Sequence, residues 1–264
     1  MVIKNIIFSG GGFKGWAYIG TIKALNENIP FKNIEHVIGV SVGAIFGVFY
    51  LLKLDHTFLL NYFLNIDIKK YYDIDLDSFL TNQSILRGKK LKKAILSITK
   101  QDFTFQELYN ITGIKFTTCA FNITSCNLEY FDYISSPSLK VIDAIMASCA
   151  LPILFPAYKI NDNFYYDGGI CNNCPCNLVD PQTSIAFNVT GDFSHSKYNI
   201  LELLMSLTRH LNNLNIINNH IIYNISSRKY DDEFFNVNQS NDTIFNIYMD
   251  GYHNTKKILK LVKD

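Results

Sequence analysis

IKNIIFSGGGFKGWAYIGTIKALNENIPFKNIEHVIGVSVGAIFGVFYLLK, residues 3–53, contains two short apolar runs, each ending near glycine and each followed by an apolar segment. Ile3 to Phe8 stops at Ser9-Gly10-Gly11-Gly12, which predicts a buried strand running into a loop. From Gly15 to Asn28 the apolar positions Trp16, Ile19, Ile22 and Leu25 recur at helical spacing. Glu35 to Val40 predicts a second strand, which turns abruptly at Ser41 into an apolar helix from Val42 to Lys53. Strand, glycine loop, helix, strand, tight turn and helix in this order imply a parallel sheet with crossover helices. The fold class is α/β.

Working outward, residues 55 to about 112 are expected to be mainly helical and carry the stretch Tyr71-Tyr72-Asp73-Ile74-Asp75. Ile114 to Thr124 and Leu128 to Tyr133 predict a strand pair, and Ser138 to Cys149 a helix stopped near Pro152. A hairpin around Asp162-Asn163 leads into Tyr166-Asp167-Gly168-Gly169. Thr183 to Val189 and Ile221 to Ile225 predict further strands, with helices near 200–217 and 250–263. No repeat, linker or composition break divides the chain, so one domain over 1–264 is expected.

The chain has 264 residues, 48% apolar and 18% charged, with 24 basic and 23 acidic side chains and a formal charge of +1. That balance gives no pull toward nucleic acid. The N-terminus lacks the apolar core and cleavage site of a signal peptide. The longest apolar run, Ile38 to Leu52, is shorter than the roughly 20 residues of a membrane span. A cytoplasmic location is expected, with the six cysteines at 119, 126, 149, 171, 174 and 176 as thiols.

The sharpest local signal is Gly39-Val40-Ser41-Val42-Gly43, a G-x-S-x-G pattern between a strand and a helix. A nucleophilic serine needs its hydroxyl at the tip of a strained turn, with small neighbours and a helix N-terminus behind it. Gly10-Gly11-Gly12-Phe13-Lys14-Gly15 ends the first strand, and its amides could receive the oxyanion of an acyl transfer. The same string fits a dinucleotide loop, with Glu35 twenty residues past Gly15. Against that, Glu35 opens its strand, whereas a ribose-binding acid closes it. A Walker A loop is excluded, because no Lys-Ser/Thr follows Gly15.

Asp167-Gly168-Gly169 is a candidate base for Ser41, since glycine neighbours permit close approach. Taken alone, the motif reads more readily as an ordinary Asp-Gly turn. A histidine base is the rival, with His195, His210 or His253 as nominees, though none stands in a triad signature. Cys171, Cys174 and Cys176 lack a fourth ligand at a zinc-site spacing, so buried thiols are expected. Lys89, Lys90, Lys92 and Lys93 fit a solvated helix face or a patch for anionic head groups.

Taken together, these motifs resemble the patatin-like phospholipase family. Gly10 to Gly15 looks like its G-G-G-x-K/R-G loop, Gly39 to Gly43 its nucleophile elbow, and Asp167-Gly168-Gly169 its Asp-Gly-Gly. Phe103 to Leu108, Ala147 to Pro152 with Phe155-Pro156, and Asn173 with Pro175 fit the intervening signatures. The resemblance runs from about residue 4 to 189, leaving 190–264 to complete the fold. It implies a three-layer α/β/α sandwich with a mostly parallel central sheet. It also implies a Ser41–Asp167 dyad without histidine, and hydrolysis of fatty acyl esters with no metal or cofactor. The amides of Gly10, Gly11 and Gly12 would form the oxyanion hole, supported by Lys14, Gly15, Gly39, Gly43, Gly168 and Gly169. The partner expected is a phospholipid or other acyl lipid at a membrane surface, reached by transient peripheral docking. Phe58 to Lys93, with Phe63, Tyr71, Tyr72 and Phe79, is the candidate docking face. The competing readings are a catalytically silent lipid-binding scaffold and a nucleotide-binding module.

Overall fold

The computed structural model describes residues 2–65, 84–189, 222–225 and 239–263. An eight-stranded sheet forms its centre. In chain order the strands are β1 (Asn5–Phe8), β2 (His36–Gly39), β3 (Lys115–Asn122), β4 (Asn127–Phe131), β5 (Tyr158–Ile160), β6 (Asn163–Asp167), β7 (Ser184–Asn188) and β8 (Ile222–Asn224). Their spatial order is β5-β6-β3-β2-β1-β7-β8, with β4 also paired to β3. From β3 through β2, β1 and β7 to β8 the neighbours are parallel. Beyond Thr117, β3 continues as the antiparallel partner of β4 and β6, and β5 returns along β6. The sheet is thus mixed: its parallel half delivers Ser41 and its antiparallel half delivers Asp167.

The period-2 geometry of the strands sorts their side chains between two layers. Ile6 and Phe8 of β1, Val37 of β2, and Ile185 and Phe187 of β7 enter the large core. Ile7, Ile38 and Ala186 face the other way, onto Cys174, Cys176 and Val179. Each fully buried aliphatic or aromatic side chain contributes roughly 1.5–3 kcal/mol, so this alternation fixes the register firmly. Helices α1 (Ala17–Asn28), α2 (Val42–Leu51) and α3 (His56–Asn65) belong to the large core, as do α4 (Lys89–Thr99), α5 (Phe105–Thr112) and α6 (Val141–Ser148). The last helix, α7 (Asn241–Lys263), packs along α1. Among the described residues, no helix is long and apolar enough to cross a membrane.

The structure adjusts several expectations. Helix α7 starts at Asn241, well before 250, because the Ser240 hydroxyl accepts the Thr243 N–H at 3.1 Å and caps it. The polar first turn hides this start from any apolar periodicity. Helix α5 begins at a capping box, in which Thr104 and Glu107 bond each other's backbone. The helix expected near 200–217 lies outside the described residues.

The docking stretch is corrected in part. Phe63 is core, 8% exposed and with its ring 4.4 Å from that of Trp16. Lys92 is no solvated face residue: it pairs with the Asp143 carboxylate and donates to the Tyr158 hydroxyl. Tyr71, Tyr72 and Phe79 lie outside the described residues, while Phe58 is exposed.

Candidate active site

Ser41 stands between the end of β2 and the start of α2 with φ 53° and ψ −126°. This backbone conformation costs a non-glycine residue on the order of 1–3 kcal/mol and persists only where neighbours enforce it. The Val40 N–H donates to the Phe8 carbonyl at 3.1 Å, and the Ser41 N–H donates to the Ser148 hydroxyl at 2.9 Å. Gly43 then passes so close to β1 that a Cβ there would lie 2.3 Å from the Phe8 carbonyl oxygen. Gly39 is packed just as tightly against the first turn of α2. Although Ser41 occupies the N-cap position, its side chain caps nothing. The hydroxyl therefore stands uncapped at the positive end of a helix.

Asp167 ends β6 opposite Ala120 of β3 and is 6% exposed. Its N–H donates to the Ala150 carbonyl at 2.9 Å, and its Oδ1 accepts the Gly169 N–H at 2.7 Å. Gly168 lies against the backbone and thiol of Cys119. Burial pushes the Asp167 carboxyl up to about 6, while hydrogen bonds from the Ser41 side chain and the Gly169 N–H hold it from rising further. An ordinary aspartate near 3.9 is a poor base at neutral pH, and this desolvated one is better matched to accepting a proton. The Cys119 and Cys149 thiols beside it are pushed up by burial and by the Asp167 charge, so both stay neutral. A base role for Asp167, which needs the ionised carboxylate, predicts that kcat/KM rises with pH and levels off above about 6. A pH–rate series measures this. A flat profile between about pH 5 and about pH 8 would remove Asp167 from the role.

The glycine loop lies against Ser41, because β1 and β2 are adjacent parallel strands. A Cβ on Gly10 would sit 3.2 Å from that of Ser41 and 2.4 Å from Oδ1 of Asn173. Asn173 grips this residue twice: its carbonyl accepts the Gly10 N–H, and its Nδ2 donates to the Gly10 carbonyl, both at 3.3 Å. The amides of Gly11 and Gly12 meet no acceptor among the described residues. Ser9 anchors the loop from behind, bonding Asn188 and Tyr18 with its hydroxyl. Lys14 is fully buried in the turn Gly12–Trp16, and Gly15 touches Val42 at the start of α2.

The rival constellations separate from this centre. Glu35, the acid a dinucleotide loop would need, pairs with Lys4 at 2.8 Å at the opposite end of β1 and β2 from the loop. His36 bonds Thr117 at 2.8 Å, His56 faces Asp55 and His253 packs on Tyr252. His195, His210 and His220 lie outside the described residues. Cys174 and Cys176 bring their sulfurs to 3.6 Å, but no group of three metal-ligating side chains occurs among the described residues.

Ser148 and Asn173 are the contributors that sequence reasoning left without a role. Both stand in stretches quoted above for the family resemblance, which was the available signal.

Comparison with known proteins places the chain in a family. Residues 6–180 match the family model described as patatin-like phospholipase. A probable lipid hydrolase, 463L, of Invertebrate iridescent virus 6 is 30% identical over 67% of this chain and 63% of its own length. The triacylglycerol lipase ptl3 of Schizosaccharomyces pombe is 28% identical over 57% of this chain and 33% of its own. The chain therefore spans less than two thirds of the length of these relatives. The crystal structure of VipD from Legionella pneumophila superposes with a TM-score of 0.62 at 17% identity, covering 99% of this chain and 67% of that one; at that identity the likeness concerns the fold. With the match to the family model covering residues 6–180, the chain belongs to the patatin-like phospholipase family.

Proposed function

We propose that the chain is a serine lipid acyl hydrolase of phospholipase A type. The observation that carries this reading is Ser41, raised on a strained turn beside the buried Asp167, whose carboxyl the Ser41 side chain helps to hold down. In the forward step the Ser41 oxygen attacks the ester carbonyl while Asp167 takes its proton. The amides of Gly11 and Gly12 receive the oxyanion, and Gly10, whose amide is held by Asn173, fixes the loop. Collapse of the tetrahedral intermediate expels the alcohol, which takes the proton back from Asp167. Water, deprotonated by the same carboxylate, then releases the fatty acid from Ser41. No cofactor enters.

Two relatives support a lipid substrate by their names, a probable lipid hydrolase and a triacylglycerol lipase. A silent scaffold would have no use for a strained serine against a desolvated carboxylate. Acting from the cytoplasmic side, the enzyme would dock transiently on membranes, because acyl chains must leave the lipid phase to reach Ser41. Hydrolysis is expected to be at least about tenfold faster on aggregated phospholipid vesicles than on a dispersed short-chain ester. Labelled phospholipid, triacylglycerol and lysolipid, each presented with and without anionic lipid, test this. Cleavage of the dispersed ester with no gain on any vesicle would leave a soluble esterase.

A further inference from the structure

Three consecutive residues at the end of α6 hold both members of the pair. The Ser148 hydroxyl accepts the Ser41 N–H at 2.9 Å. The Ala150 carbonyl accepts the Asp167 N–H, also at 2.9 Å. Between them, the Cys149 thiol lies against the Ser41 side chain and is 7% exposed. Nucleophile and base arrive on different halves of the sheet, 126 positions apart in sequence by their residue numbers. Segment 148–150 touches both, and so sets their separation.

Ser148 is the member of this segment that acts through its side chain. It is fully buried, at the C-terminal residue of α6 among Ala144, Ile145 and Ala147. A hydroxyl taken out of water without a partner costs about 1–3 kcal/mol, so alanine would be the better residue for packing alone. Among the described residues, the one hydrogen bond of this hydroxyl is the bond to Ser41. That bond acts on the peptide entering the strained residue, where φ is 53°. A rotation of this peptide would carry the Ser41 oxygen away from Asp167.

We propose that Ser148 is a positioning residue for the hydrolysis assigned above: its hydroxyl locks the Ser41 peptide so that the nucleophile faces Asp167 and the glycine loop. The inference rests on that assignment. It predicts an effect on the chemical step and little on substrate binding, because misplacement by about 1 Å costs on the order of a hundredfold in rate.

The test compares Ser148→Thr with Ser148→Val, two side chains of the same shape of which one keeps the oxygen. Both are assayed on a dispersed short-chain ester beside the parent and Ser41→Ala. The Thr variant is expected to exceed the Val variant in kcat by at least about tenfold, with KM equal within about twofold. Labelling of Ser41 by a fluorophosphonate should slow in the same ratio. Per folded molecule, a merely structural hydroxyl would leave both ratios near one, and a kcat ratio below about tenfold overturns the positioning role. A parent as inactive as Ser41→Ala would instead overturn the hydrolase assignment itself. If Ser148→Val loses its fold, Ser148→Ala replaces it against Thr under the same criterion.

Discussion

Ser41→Ala is expected to abolish ester hydrolysis and fluorophosphonate labelling, a loss of at least about 10⁴-fold, while the chain stays folded. The size follows from the place of this oxygen. No other hydroxyl among the described residues combines the tip of a strained turn, a helix N-terminus and contact with a desolvated carboxylate. Removing a nucleophile also disables its base and oxyanion loop, so the loss approaches that of removing the whole set. The fold is expected to persist, with a modest loss of stability at neutral pH where the buried Asp167 carboxylate loses the Ser41 hydroxyl. The side chain caps no helix turn, and alanine meets the same backbone constraint at φ 53° as serine does. The Ser41 N–H can still reach Ser148. The check pairs the residual rate on a short-chain ester with a thermal melt. Strong labelling of the alanine variant at another residue would move the nucleophile elsewhere.

Much of this site was legible in the first 53 residues, for reasons that are local. Strand β1 declares itself by Ile6, Ile7 and Phe8 and by the glycines that end it, and the elbow by Gly39 and Gly43. Close approach at such positions admits no side chain: a Cβ on Gly43 would meet the carbonyls of Phe8, which ends β1, and of Ser9. The antiparallel half was expected as two hairpin-like strand pairs, but its junction to the parallel half through β3 was not. That junction depends on which strand edge β6 finds, and Ala120 opposite Asp167 is a tertiary pairing. Ser148 stayed silent because its role is one hydrogen bond to a peptide 107 positions away. Lys92 misled for a similar reason. A lysine-rich helix face suggests solvent, yet the packing of α4 on α6 puts Asp143 and Tyr158 within its reach. Phe63 belonged to an aromatic stretch with two possible partners, lipid and core, and Trp16 and Phe46 settle it for the core.

Asp167→Asn should separate catalysis from stability more sharply than any other substitution. Asparagine cannot take the Ser41 proton, so kcat is expected to fall by at least about 10³-fold. Its amide oxygen can still accept the Gly169 N–H that Oδ1 receives at 2.7 Å, so the loop need not collapse. The effect on stability runs the other way. In the folded chain the carboxyl is pushed up to about 6, mainly by burial, from an ordinary value of 3.8. A carboxyl with a raised folded value stabilises fully below its unfolded value, and that contribution is lost as pH rises through the folded one. Above about 6 the parent therefore carries a buried charge worth roughly 3 kcal/mol of lost stability, from about two units at 1.36 kcal/mol each. The asparagine variant carries none. Its melting temperature is expected to exceed the parent's by several degrees near pH 7.5, with the gap narrowing toward about pH 4.5. Paired melts at the two pH values, with histidine variants as activity controls, read both effects. A gap that stays constant with pH would mean that Asp167 is not held above the usual range. A histidine variant that loses a thousandfold while Asp167→Asn keeps its rate would replace the pair with a triad.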